Sequence, residues 1–394
     1  MTERRWVFRY LLPFAICLLA YLFNARMSAS IPALFSPIKV GRVNLQHRIA
    51  LCPLTRYRAT KAHTPIVPVV SEYYRQRGSA GGTLLITEGT FISPEAGGLD
   101  NVPGIWSDEQ IEAWKQITDA VHAQGSYIYL QLWALGRSGN PDVLAAEGLP
   151  YVSASDIPLK SVAPRPLSVP EIKSYVEKFT TAASNAINRA GFDGVEVHGA
   201  NGYLVDQFLQ DVTNKRTDEY GGDVEGRTRF ALEILEAVTK EVGADRTAIR
   251  ISPWGKFQNM RMDDPKPTFS HLVTQIRERF PDLAYIHAVE PRIADGTVKA
   301  ESEVPKDEEN DFLRKLWAPR PFISAGGYTR ELALKVAEEK GDIIASGKLF
   351  LSNPDLVQRW RKNLTQNAWD ASTFYVPGDA SGKGYIDYPF AGSE

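Results

Sequence analysis

A histidine, an asparagine and a tyrosine lie within six residues of one another, at His198, Asn201 and Tyr203. They follow the apolar run GVEVH at 194–198, which is typical of a buried strand. An imidazole and an amide can both hydrogen-bond one oxygen and polarise it, and a phenol can deliver a proton as a general acid. A lone histidine at a strand end is more often structural, but three such groups together favour a catalytic site.

Arg250 lies inside another apolar run, TAIRIS at 247–252. An interior cation is costly unless an anion meets it. That anion is either a ligand or a structural partner, for which Glu196 and Glu290 are the candidates. The position favours a functional role over a structural ion pair.

Glycines follow two further apolar runs near the end of the chain. Gly326 and Gly327 come after the run at 322–325, and Gly347 with Lys348 comes after the run at 342–346. Glycine lets backbone N–H groups approach a phosphate, and a cation neutralises its charge. The pattern favours a phosphate site, with tight turns as the alternative.

Composition and motifs exclude several classes of function. The 394 residues carry a net charge of −2, so no basic surplus points to nucleic acid. Two cysteines, Cys17 and Cys52, are too few for a disulfide framework or a zinc site. The six histidines show no metal-ligand spacing, and no Gly-x-Ser-x-Gly motif supports a hydrolytic serine.

The residues must be positioned by a regular alternation of strands and helices. Eight short apolar runs, rich in Ile, Val, Leu, Tyr or Thr, occur at 47–52, 83–88, 127–132, 194–198, 247–252, 285–290, 322–325 and 342–346. Helical segments between them begin at capping residues such as Ser107, Ser168 and Thr329. No Gly-x-Gly-x-x-Gly turn follows the first or second run, so the order predicts a single (β/α)₈ barrel, an α/β fold, rather than an open sheet. In such a barrel the strand ends gather on one face.

Residues 1–30 form an apolar amino-terminal segment apart from the predicted domain at 31–394. Basic residues precede the uncharged stretch from Tyr10 to Phe23, which is shorter than a typical membrane span. It is a signal peptide, a short anchor through residues 10–25, or an extension upstream of a start at Met27. The last case predicts a cytoplasmic protein, and the others predict secretion or membrane attachment.

Longer motifs resemble those of the Old Yellow Enzyme family, from about Leu34 to Phe390. They include PLTR at 53–56, ITEGTFISPEAGG at 86–98, QLWALGR at 131–137, GFDGVEVHGANGYLVDQFL at 191–209, SNPDL at 352–356 and GYIDYP at 384–389. The resemblance implies a flavin-dependent reductase of α,β-unsaturated carbonyl compounds, with NADH or NADPH as reductant.

The resemblance also assigns residues to roles around a non-covalently bound FMN. The implied cofactor-binding residues are Pro53, Leu54, Thr55, Gly89, Gln131, Arg250, Gly326, Gly327, Gly347 and Lys348. His198 and Asn201 would bind the carbonyl oxygen of the substrate, and Tyr203 would protonate its α-carbon. Trp133 and Tyr375 would shape the substrate pocket. No residue is assigned to a metal.

The implied reaction has two halves that share one pocket, which predicts ping-pong kinetics. The nicotinamide gives hydride to flavin N5, and N5 passes it to the β-carbon of the enone. Lys348 departs from the arginine usual in the family and predicts weaker phosphate binding. A flavin-dependent isomerase and a scaffold without flavin are the alternatives, and the chain is expected to be a monomer or homodimer. The segments 257–268 and 293–310 are expected to be loops over the pocket.

Overall fold

A computed structural model describes residues 31–294 and 297–392. The predicted amino-terminal segment at 1–30 lies outside the described residues, as does Cys17. Each of the eight predicted runs contains a strand, and we number these strands in chain order as β1 (Ile49–Leu51), β2 (Leu84–Ile86), β3 (Tyr127–Trp133), β4 (Gly194–Gly199), β5 (Thr247–Ile251), β6 (Tyr285–Val289), β7 (Phe322–Ala325) and β8 (Ile343–Ser346).

The eight strands pair in parallel and close into a barrel. Each strand pairs with its neighbours in chain order, and β8 pairs with β1 through Ile344 and Ile49. The strand residues are almost all buried, because the barrel interior covers one face and the helices cover the other. The predicted (β/α)₈ fold is confirmed, and its register sets Arg250 beside His198.

Helices surround the barrel, and we number them α1 (Val69–Arg77), α2 (Asp108–His122), α3 (Pro141–Ala146), α4 (Val169–Ser184), α5 (Leu204–Leu209), α6 (Val224–Val242), α7 (Lys266–Arg279), α8 (Asp311–Trp317), α9 (Arg330–Lys340), α10 (Lys348–Ser352) and α11 (Leu356–Lys362). Ser107 and Ser168 begin α2 and α4 as predicted, and the structure shows that each belongs to a capping box. Helix α6 begins at Val224, because the Asp223 side chain caps it by accepting from the backbone N–H of Gly226 at 2.8 Å.

Short strands outside the barrel close its ends. The antiparallel strands Ile38–Val40 and Val43–Leu45 pack on the interior cluster that contains Ala248 and Tyr285, at the amino ends of the barrel strands. Thr90–Phe91 extends the sheet beside β3, and two-residue strands pair Val152–Ser153 with Arg165–Pro166 and Ile293–Ala294 with Thr297–Val298. Within the described ranges, none of the helices combines the length and apolar character that crossing a membrane requires.

Candidate active site

The turn after β4 brings the sequence-predicted residues His198 and Tyr203 together. Asn201 and Gly202 have φ values of 58° and 77°, in the left-handed region that asparagine and glycine tolerate best. The chain therefore reverses sharply before Tyr203, which immediately precedes α5. The rings of His198 and Tyr203 meet edge to face, with their centroids 4.9 Å apart.

His198 is held as a neutral hydrogen-bond donor. Its Nδ1 accepts from the backbone N–H of Ala200 at 3.3 Å, so the proton of the neutral ring is on Nε2. Burial lowers the pKa of the imidazole well below its usual range, and the nearby charge of Arg250 lowers it further. The ring can therefore donate to an oxygen without carrying a charge.

Tyr203 is held in its protonated form. Burial raises the pKa of the phenol above its usual value, and the neighbouring Tyr57 contributes to the rise. The ring lies edge-on to the indole of Trp133 at a centroid distance of 4.7 Å. Tyr375 packs against Tyr57 at 6.2 Å and remains 57% exposed, so it lies at the rim.

Arg250 is buried, and no described residue makes with it the ion pair that the structural alternative requires. Glu196 instead pairs with His287 at 2.8 Å and accepts from Gln131 at 2.7 Å, and Glu290 pairs with Arg314 at 2.5 Å. A nitrogen of Arg250 lies 3.5 Å from the thiol of Cys52, and its Nε has no hydrogen-bond partner. A buried cation in this state fits a ligand that brings negative charge.

The glycines at the carboxyl ends of β7 and β8 differ in what surrounds them. A Cβ at Gly326 would lie 2.7 Å from Glu290, and one at Gly327 would lie 2.5 Å from Val298. Close packing therefore accounts for these two glycines without a ligand. A Cβ at Gly347 would make only an ordinary contact, at 3.5 Å with the side chain of Leu54. The space beside this backbone is therefore free for a bound group.

The remaining residues assigned to the cofactor lie at the carboxyl ends of β1, β2 and β3. Pro53 is buried, whereas Leu54 and Thr55 are partly exposed after β1. Gly89 follows β2 and lies against the ring of Trp133, and the side-chain amide of Gln131 is already a donor to Glu196. Together with Arg250 and the open backbone of Gly347, these residues fit a flavin across the barrel mouth.

Sequence analysis missed the residues that hold the β4 turn. The backbone N–H of Asn201 donates to Ser252 Oγ at 2.7 Å, and that of Gly202 donates to Asp206 Oδ2 at 2.8 Å. The Gln258 amide donates to the carbonyl of Asn201 at 3.0 Å. Burial raises the pKa of Asp206 to about 7. The position of Ser252 at the end of a strand was the available signal for it.

Two arginines after β1 fasten the segment that carries Tyr375. Arg56 Nε donates to the carbonyl of Phe374 at 3.0 Å, and Arg58 donates to that of Val376 at 2.6 Å. Both guanidinium groups also lie over the ring of Tyr385, at 4.7 and 5.1 Å from its centroid. The segment that carries Tyr375, a residue expected to shape the substrate pocket, thus lies beyond the last barrel strand and is held by residues that follow the first.

The two segments expected to be loops are only partly so. Helix α7 begins at Lys266, within the segment 257–268. The segment 293–310 contains the short strand pair already described and a 3₁₀ turn at Glu301–Glu303. The expectation was wrong there because Pro265 and Pro267 start the helix from within a polar stretch.

Known proteins share this architecture over most of the chain. The profile of the NADH:flavin oxidoreductase / NADH oxidase family matches residues 33–367. The chanoclavine-I aldehyde reductase fgaOx3 of Penicillium roqueforti is 51% identical over 366 residues, which are 91% of this chain and 96% of that protein. The NADP-dependent oxidoreductase lnbE of Aspergillus flavus is 46% identical over 368 residues, 91% of this chain and 96% of that protein. The Old Yellow Enzyme from Pichia sp. AKU4542 has a TM-score of 0.84 at 35% identity, covering 92% of this chain and 95% of that one.

A closed parallel barrel whose mouth carries the buried Arg250, with no ion pair to it among the described residues, fits a flavin-binding oxidoreductase. The chain belongs to the NADH:flavin oxidoreductase / NADH oxidase family, that of the Old Yellow Enzymes. It is an enzyme that uses FMN with NAD(P)H as reductant and acts on a small molecule.

Proposed function

We propose that the protein reduces the C=C bond of α,β-unsaturated carbonyl compounds. The observation that carries this is the pairing of His198 with Tyr203, a neutral donor beside a phenol that keeps its proton. Reduction of an enone needs these two functions, because its oxygen gains negative charge while its α-carbon receives a proton.

FMN supplies the hydride for the β-carbon when it is bound at the barrel mouth. Pro53, Leu54, Thr55, Gly89, Gln131, Arg250, Gly326, Gly327, Gly347 and Lys348 are the residues proposed to hold it. Arg250 is best supported among them, because its buried Nε has no hydrogen-bond partner. A fixed cation there would favour the negatively charged reduced flavin.

The substrate's carbonyl oxygen is proposed to accept from His198 Nε2 and from the side-chain amide of Asn201. Both donors draw charge off the β-carbon and orient the α-carbon towards Tyr203. Trp133 and Tyr375 shape the space around the double bond. After its proton has left, the phenolate of Tyr203 is reprotonated from solvent.

The substrate class is proposed to be a bulky α,β-unsaturated aldehyde or ketone of secondary metabolism. The name of the chanoclavine-I aldehyde reductase fgaOx3 gives an aldehyde as its substrate, and that protein is 51% identical to this chain over the aligned residues. Exposed apolar side chains at Phe257 and Tyr375 are consistent with a large apolar substrate.

Replacement of Tyr203 by phenylalanine tests the proposal. We expect Tyr203→Phe to slow C=C reduction by about 100-fold, the usual contribution of a positioned acid, while reduction of the flavin by NADPH stays unchanged. An unchanged rate of enone reduction would contradict the assigned proton donor. Turnover of substrate without nicotinamide under anaerobic conditions would instead indicate a redox isomerase, and a purified protein without flavin colour would indicate a scaffold.

A further inference from the structure

Gln258 joins the loop after β5 to the turn that carries Asn201 and Tyr203. Its Nε2 donates to the backbone carbonyl of Asn201 at 3.0 Å, and its Oε1 accepts from the hydroxyl of Ser138. The same hydroxyl lies 3.0 Å from the carbonyl oxygen of Gly202. This one amide therefore contacts the turn directly at Asn201 and, through Ser138, lies next to the carbonyl of Gly202, immediately before Tyr203.

The backbone around Gln258 adopts a conformation that its residues disfavour. Gln258, Asn259 and Arg261 have φ values of 62°, 57° and 103°. Non-glycine residues in this region store strain and persist only where their surroundings fix them. Such strain is often associated with functional sites. Specific contacts must therefore hold this loop in place.

Three contacts fix the loop against the turn. Arg137 donates to the carbonyl of Gln258 at 2.7 Å, and the backbone N–H of Arg261 donates to Gln210 Oε1 at 2.9 Å. The loop packs closely against Gly202 because this residue has no side chain. A Cβ there would lie 2.8 Å from Met260 and 2.9 Å from Gln258. The loop and the turn are thus fixed relative to each other, with the Gln258 side chain facing inward.

The Gln258 side chain also lowers the pKa of the Tyr203 phenol, against the larger effect of burial, so it lies close to this phenol. A side-chain amide nitrogen has two N–H groups, so one can serve Asn201 and the other Tyr203. The other titratable or charged groups facing the phenol are Tyr57, Tyr375, Arg250 and His198. A donor at the phenol oxygen favours the phenolate that remains after a proton has left.

We propose that Gln258 is a positioning residue for proton donation by Tyr203, holding the phenol in place and stabilising its phenolate. This rests on the proposed function of Tyr203. In the step, the O–H bond of Tyr203 breaks, its electron pair stays on the phenolate oxygen, and a C–H bond forms at the α-carbon. NAD(P)H supplies the hydride through the established activity, and solvent returns the proton to Tyr203.

The two half-reactions of the FMN-loaded enzyme separate this role from a structural one. In stopped-flow experiments with Gln258→Leu, we expect reduction of cyclohexenone to slow about tenfold, the effect of one ordinary hydrogen bond on a rate. Flavin reduction by NADPH should stay within about twofold, since it needs no phenol proton. The solvent deuterium isotope effect on enone reduction should rise. Lys256→Ala, which changes an exposed side chain of the same loop, is the matched control and should leave both rates unchanged.

Two further variants make the test specific. Gln258→Glu places a carboxylate beside the phenol, so enone reduction should be slower than in Gln258→Leu at alkaline pH. In a Tyr203→Phe background, Gln258→Leu should cause no additional loss, because the two residues act on one step.

Equal slowing of both half-reactions, or a further loss in the Tyr203→Phe background, would overturn this inference. So would an unchanged rate in Gln258→Leu when Tyr203→Phe is slow. An unchanged rate in Tyr203→Phe would overturn the proposed function, and this inference with it.

Discussion

Gly89 lies so close to the indole of Trp133 that a Cβ at this position would come within 2.5 Å of the ring. The absence of a side chain after β2 thus sets the position of the indole, which in turn lies edge-on to Tyr203. A residue expected to act through its backbone thus also sets, through its small size, the position of a side chain proposed to shape the substrate pocket.

We expect Gly89→Ala to displace the indole of Trp133. Overpacking of this kind costs about 1–3 kcal/mol of unfolding free energy, which urea denaturation can measure, and enone reduction should slow as Tyr203 loses its neighbour. Trp133→Leu should restore part of the lost stability in the double variant, because the smaller side chain leaves room for the added methyl. Strictly additive losses would contradict a direct contact between the two positions.

We expect Glu88→Gln to change how stability depends on pH. Burial raises the pKa of Glu88 from its ordinary 4.5 to about 7, against the opposing effect of Arg56. The folded state therefore keeps a proton that the unfolded state loses, so the stabilisation is complete below pH 4.5 and is lost as pH rises through 7. The difference is on the order of 3 kcal/mol.

Urea unfolding of wild type and Glu88→Gln between pH 4 and 8 measures this slope. The variant should show a flatter decline, and the slope that remains should reflect Asp206, whose pKa burial also raises to about 7. Identical slopes in both proteins would contradict a protonated Glu88.

We expect Lys348→Met to weaken binding of FMN but not of riboflavin. The loss of a charge-assisted contact to phosphate costs about 1.5–3 kcal/mol of binding free energy. Riboflavin lacks the phosphate, so its affinity should not change. Lys348→Arg should tighten FMN binding, because a guanidinium can make two contacts at once. Fluorescence titration of the flavin-free proteins with each flavin measures these affinities, and an equal loss for both flavins in Lys348→Met would contradict a phosphate contact.

We expect Arg250→Met to have opposite effects on the two forms of the enzyme. Without FMN, removal of a buried cation that lacks an ion pair should raise the unfolding free energy by about 1–4 kcal/mol. With FMN, the lost cation should weaken binding and lower the reduction potential. Urea denaturation of the flavin-free protein measures the first effect, and a loss of stability there would mean that Arg250 serves the fold.

The barrel was predictable because its signals are local. The runs at 247–252 and 285–290 are apolar on both faces, as a strand between barrel interior and helices must be. Ser107 and Ser168 mark helix starts through bonds to residues three positions on. His198 and Tyr203 were found together because a single turn separates them.

The supports of the site were not predictable, because they depend on distant segments. Arg56 acts on Phe374, 318 residues away along the chain. Gln258 reaches Asn201 only because three non-glycine residues adopt left-handed backbone, which no sequence pattern here announces. The lack of an ion pair at Arg250 likewise became visible only when Glu196 and Glu290 were seen with other partners.

The attachment of residues 373–385 to Arg56 and Arg58 also orders events during synthesis. The barrel strands have all left the ribosome before the wall that bears Tyr375 can dock. A nascent chain can therefore close its barrel while the pocket still lacks one side. The segment of Tyr375, proposed to shape the substrate pocket, is therefore the last part of the described site to be synthesised.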